Sequence, residues 1–96
     1  MATTPETNSP VTVFATSWCP FCARLIADLR RADLAEGTVD IVDVDAPGTE
    51  ALSEWIESVN DGNRIVPTVL YSDGTHETNP EASAVRAKLR ELTGGE

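Results

Sequence analysis

The sequence predicts an α/β domain, a four-stranded mixed sheet with helices on both faces in the order β-α-β-α-β-β-α. Three observations carry this. A short β-branched run at residues 11–15 leads, after a brief turn, into an apolar stripe that recurs every four residues. A second strand-then-helix pattern follows. Asp73-Gly74 then marks a two-residue hairpin late in the chain.

Val-Thr-Val-Phe-Ala at residues 11–15 has the composition of a buried strand. Residues 16–19 turn. Pro20 suits the first position of a helix, where no backbone N–H is required. Phe21, Leu25 and Leu29 repeat every four residues with Cys22 and Ile26 beside them, so the helix is expected to reach about Ala32. Arg30 and Arg31 complement the negative end of its dipole. Beyond Gly37, residues 39–44 predict a second strand, and residues 45–49, with Pro47 and Gly48, a loop. Leu52, Trp55, Ile56 and Val59 give the stripe of a second helix, with Trp55 in the core. It is expected to stop near Asn60, before Gly62.

Residues 65–71 predict a third strand with Pro67 inside its start, and residues 75–78 a short fourth strand pairing back on it. Asn79-Pro80 is expected to cap and open the last helix. That helix turns Ala82, Val85, Leu89 and Leu92 inward and ends at Gly94-Gly95. The β-α-β opening implies a parallel pair with a right-handed crossover. Residues 1–10, rich in Thr, Pro, Asn and Ser, are expected to be a disordered tail, and residues 11–94 a single domain.

Ninety-six residues with 41% apolar content can bury one thin core. A net charge of −9 argues against nucleic acid and anionic membrane surfaces as partners, because no basic stripe exists to engage phosphates. No apolar run approaches a membrane span, and the N-terminus has no signal-peptide pattern, so a cytoplasmic, monomeric protein is expected.

The two cysteines, Cys19 and Cys22, sit at the junction of the first strand and first helix. Three residues apart on a helix, they are close enough to form a disulfide. Cys19 falls at the N-cap, facing orphan N–H groups and the positive end of the dipole. Both favour the thiolate, which is the nucleophile. Cys22, one turn in, is expected to be the less exposed and less reactive partner, with Cys19 open at the helix start. A purely structural disulfide closing so short a loop returns only about 2 kcal/mol. A metal site would need two ligands beyond the thiolates, and the chain offers one histidine, His76, expected to be solvated in the hairpin. Redox chemistry remains the leading reading, with no permanently bound cofactor.

Other residues have open readings. Trp18 is either an exposed substrate platform or packed on the sheet edge. Arg24 either decorates the first helix or holds substrate. Arg64, just before the proline, is a better candidate for a contact. A cis Val66-Pro67 bond would present the Val66 backbone to an extended substrate. Without further information a trans bond is favoured, since cis is about 5–6% of such bonds.

Trp18-Cys19-Pro20-Phe21-Cys22, Arg64-Ile65-Val66-Pro67-Thr68-Val69 and Ser72-Asp73-Gly74-Thr75, in this order and spacing, resemble the glutaredoxin family of thioredoxin-like proteins. The resemblance covers nearly all of the chain from Val11 onward. It implies a cis Pro67, a nucleophilic Cys19, a resolving Cys22 and a substrate groove along Val66. Trp18, Phe21, Arg64, Val66, Pro67, Thr78 and Asn79 are the residues expected to line that groove.

The departures bear on the small thiol. Glutathione-using glutaredoxins often carry a Lys where this chain has Thr16, and Gly-Gly where it has Thr78-Asn79-Pro80. Glutathione is net anionic, whereas mycothiol is a neutral, hydroxyl-rich sugar thiol. Thr-Asn-Pro, with Asn60-Asp61-Gly62-Asn63-Arg64 upstream, resembles the mycoredoxins, the glutaredoxin relatives of mycothiol-using bacteria. That resemblance implies reduction of protein–mycothiol mixed disulfides with mycothiol as co-substrate. A dithiol redoxin, reduced by a flavoprotein reductase and serving ribonucleotide reductase, is the first alternative. A module holding a bridging iron–sulfur cluster is the second, disfavoured by the stiffening Pro20.

Overall fold

The computed structural model describes residues 3–93. Strand β1 (Val11–Ala15) leads into helix α1 (Pro20–Arg31), followed by β2 (Val39–Asp43), α2 (Glu50–Val59), β3 (Thr68–Tyr71), β4 (His76–Thr78) and α3 (Ala82–Leu92). The strands lie in the order β2-β1-β3-β4. β1 runs parallel to β2, with Val13 opposite Ile41, and antiparallel to β3, with Val13 opposite Val69. β4 pairs antiparallel to β3 and closes the other edge. No helix among the described residues is long and apolar enough to cross a membrane.

Alternation along β1 divides the core in two. Val11, Val13 and Ala15 point to one face, where they meet Cys22, Leu25 and Leu29 of α1 and Val85 and Leu89 of α3. Phe14 points to the other face, where Leu70 of β3 meets Trp55 and Ile56 of α2. Trp55 is 2% exposed, as its place on the helical stripe predicts. Its ring lies 5.6 Å from that of Phe14 and 5.8 Å from the His76 imidazole, which is itself exposed.

Two boundaries differ from the sequence-based expectation by more than one residue. β3 begins at Thr68 rather than at residue 65, because the chain bends at residues 66 and 67 ahead of it. The last helix starts at Ala82, with Glu81 as its N-cap, not at Pro80. The Asn79 N–H donates to the Pro67 carbonyl at 2.8 Å, so backbone pairing continues past β4. Asn79 then turns the chain with a left-handed φ of 47°, a conformation Asn tolerates better than most residues. Residues 3–10 form no helix or strand, and the expected stop at Gly94-Gly95 lies outside the described residues.

Candidate active site

β1 delivers the chain to the site and α1 carries it away. Cys19 is the N-cap residue, with extended backbone (φ −88°, ψ 118°), and Pro20 is the first helical residue. The Cys19 carbonyl accepts the Ala23 N–H at 3.1 Å, which closes the first turn. Cys22 therefore sits one turn in, on the face packed against the sheet. Both cysteines are free thiols.

Cys22 is fully buried, and Cys19 is only 5% exposed. The expected ranking holds, but the open Cys19 does not. Its neighbours Ser17, Trp18, Pro20 and Phe21 are all exposed, but the Cys19 side chain turns inward, against the Val66 carbonyl. The rim is exposed instead: Trp18 is 67% and Phe21 61% exposed. Of the two readings of Trp18, exposure is the one found.

The thiols differ in acidity. Burial alone raises the Cys19 pKa. Hydrogen bonds from the Cys22 backbone, the Cys22 thiol and the Phe21 backbone outweigh burial, and the net shift is downward from the ordinary thiol value. Burial pushes the Cys22 thiol up to about 11; a backbone hydrogen bond from Thr16 opposes the rise and the neighbouring Cys19 adds to it. The pair is thus divided into one group suited to attack and one that keeps its proton.

Alkylation by iodoacetamide should therefore modify Cys19 first, with a midpoint below the ordinary thiol pKa of about 8.5. Cys22 should resist until strongly alkaline pH. Mass mapping of the modified peptide against pH reads both, and a Cys19 midpoint at or above the free-thiol value would remove its claim as nucleophile. Stability follows the same signs. The Cys19 contribution is present above the ordinary thiol pKa and lost as pH falls through its depressed folded value. The Cys22 contribution is present below the ordinary value and lost as pH rises towards about 11.

Opposite the thiols, the Val66-Pro67 peptide bond is cis. The Cys19 thiol donates to the Val66 carbonyl at 3.7 Å, which places this segment directly against the sulfur. The family resemblance implies that geometry; composition alone does not.

The remaining predicted residues divide into two groups. Phe21 and Asn79 line a groove of about 480 Å³ between α1 and the start of α3, together with Arg24, Asp28, Ser83 and Arg86. Thr78 uses its hydroxyl internally, donating to Asn60 Oδ1 at 2.5 Å. Arg64 is anchored to the loop after β2 and to α2. Its Nη2 donates to the Val44 carbonyl at 2.6 Å and to Asp45 Oδ1 at 2.8 Å, and its Nε to Ser53 Oγ at 3.0 Å. The Trp18 indole N–H donates to the other oxygen of the same carboxylate, Asp45 Oδ2, at 2.7 Å.

Two contributors are not apparent from the sequence. Asp45 bridges Trp18 and Arg64, and these hydrogen bonds, with Arg64 first, hold its carboxyl below the usual carboxylate range. Asn60 is buried and ties the end of α2 to Thr68 and Thr78, and so fixes the strand that presents Asn79. Asp45 carries no local signal, because its partners are distant in the chain, and the position of Asn60 at the end of α2 gives no sign of its contacts with Thr68 and Thr78. Among the described residues, no group of three or more His, Cys, Asp or Glu is placed to hold a metal ion.

The family model for glutaredoxin matches residues 11–77, which contain both cysteines, the cis proline and the hairpin. The chain belongs to the glutaredoxin family. Mycoredoxin 1 of Corynebacterium glutamicum is 52% identical over 84 residues, covering 88% of this chain and 98% of that protein. A putative glutaredoxin of Mycobacterium tuberculosis is 41% identical over 87 residues, covering 91% and 98%. Glutaredoxins of Archaeoglobus fulgidus and wheat share the fold, with TM-scores of 0.65 and 0.64 at 24% identity. Those matches cover 85% and 88% of this chain and 87% and 79% of theirs. This glutaredoxin is a thioredoxin-like thiol–disulfide oxidoreductase.

Proposed function

We propose that this glutaredoxin reduces protein–mycothiol mixed disulfides, with Cys19 as nucleophile and mycothiol as recycling thiol. The observation that carries this is the 52% identity spanning 98% of Mycoredoxin 1, well beyond the cysteine motif alone. The lining of the groove between α1 and the start of α3, to which Phe21 of the cysteine motif contributes, supports it. Arg24 and Arg86 are matched by Asp28 and Glu81, and Asn79 and Ser83 offer amide and hydroxyl groups. A neutral, hydroxyl-rich ligand is well served by such a surface.

In the first step the Cys19 thiolate attacks the mycothiol sulfur of the mixed disulfide. The S–S bond breaks, the protein cysteine leaves as thiolate and takes up a proton, and Cys19 is left joined to mycothiol. A second mycothiol thiolate then attacks that bound sulfur, releasing mycothiol disulfide and the Cys19 thiolate. The helix N-terminus stabilises Cys19 both as nucleophile and as leaving group. Cys22, which keeps its proton, forms the internal disulfide only as a side state.

Recycling with mycothiol and with glutathione at matched concentrations tests the reading. Mycothiol should turn over a mycothiolated substrate at least about tenfold faster, the scale expected when a charged ligand meets a site lacking its counter-charge. Equal or faster turnover with glutathione would reject mycothiol dependence while leaving family membership intact.

A further inference from the structure

We infer that Asp45 is the positioning residue that sets which small thiol the site accepts, by holding the Arg64 guanidinium and the Trp18 indole in one charge-neutral frame. This rests on the reading that the site takes a neutral sugar thiol.

Each carboxylate oxygen of Asp45 has its own donor, Trp18 Nε1 at 2.7 Å on Oδ2 and Arg64 Nη2 at 2.8 Å on Oδ1. Arg64 is further fixed by the Val44 carbonyl and Ser53 Oγ, so the guanidinium is held from its inner side by three residues. The loop carrying Asp45 is itself tied, because the Asp45 N–H donates to Asp43 Oδ1 at 2.9 Å. Arg64 lies two residues before Val66, whose carbonyl receives the Cys19 thiol. Its charge is already paired, with Asp45 at 2.8 Å.

A thiol bearing carboxylates must therefore compete with Asp45 for the guanidinium. Winning that contest would leave the Asp45 charge without its cation and facing the newcomer. Glu50, Glu54 and Glu57 line the same side of the loop and add to the repulsion. A neutral polyol makes no such demand, and it meets an exposed indole that Asp45 holds by its N–H, on the residue next to Cys19 in the chain. An aromatic face held in place suits the C–H edges of a sugar ring.

The test is Asp45→Asn, which removes the charge but can still accept a hydrogen bond. The variant sits at the surface, and comparing two thiols on one preparation corrects for any inactive fraction. With glutathione, kcat/KM for recycling should rise about three- to tenfold over the unsubstituted protein, the range for releasing one partly exposed charge pair. The gain should shrink as salt is raised. With mycothiol, kcat/KM should rise less than with glutathione. In Asp45→Asn/Arg64→Gln the glutathione gain should vanish, because the liberated cation is gone. No gain in the single variant, or a gain that survives in the double variant, overturns the inference. Its failure is separate from that of the mycothiol reading, which is judged on the unsubstituted protein alone.

Discussion

Cys19→Ser should abolish turnover of a mycothiolated protein, by more than about a thousandfold, because the nucleophile is lost outright. Cys22→Ser should keep most of it. In the proposed cycle the second sulfur comes from free mycothiol, so an internal resolving thiol is not required. The site favours this division. Cys22 is fully buried and its thiol is pushed up to about 11, so at neutral pH it presents almost no thiolate. Removing it also blocks the internal disulfide, and the variant is expected to be as fast as the parent or faster. A reductase-coupled dithiol redoxin would behave oppositely and stall as a mixed disulfide with its substrate. Steady-state turnover of both variants separates the two cycles. Near-total loss in Cys22→Ser would favour the dithiol one.

The largest stability effect is expected at Trp55. Its indole fills the α2 face of the sheet against Phe14, Ile56 and Leu70 and is 2% exposed. Trp55→Ala should cost about 3–5 kcal/mol, combining lost transfer energy with the cavity left behind. For a domain of this size that lowers Tm by more than about 10 °C. Thermal unfolding followed by circular dichroism checks it. The cysteines belong to the other half of the core, with α1 and α3, so the folded fraction of this variant should retain the acidity ranking of Cys19 and Cys22. A loss under about 1 kcal/mol would show that α2 is not held by this residue.

Local pattern makes the β1–α1 junction, the Trp55 stripe and the Asp73-Gly74 hairpin legible in the amino-acid sequence. Each depends on residues within a few positions of one another, where periodicity and turn chemistry act directly. The start of α3 departs from its local signal for the converse reason. Asn79-Pro80 carries a genuine capping pattern, but the Asn79 N–H is drawn to Pro67, twelve residues earlier, and strand geometry prevails. Asp45 illustrates the same limit. Its partners lie 27 and 19 residues away, and nothing adjacent distinguishes it from the other aspartates of the chain. The burial of Cys19 likewise depends on Val66, 47 residues away, whereas its N-cap position alone suggests exposure. Its chemistry survives the correction, because the hydrogen bonds that lower its pKa come from its own first helical turn.

The strand order β2-β1-β3-β4 leaves two open sheet margins. Unpaired strand margins are templates for aggregation. Both are guarded. Two of the three exposed positions of β2 are Asp40 and Asp43, which flank Ile41, and β4 is only three residues long. The net charge of −9 keeps copies apart. Acidic, shortened margins therefore keep another chain from being recruited as a fifth strand.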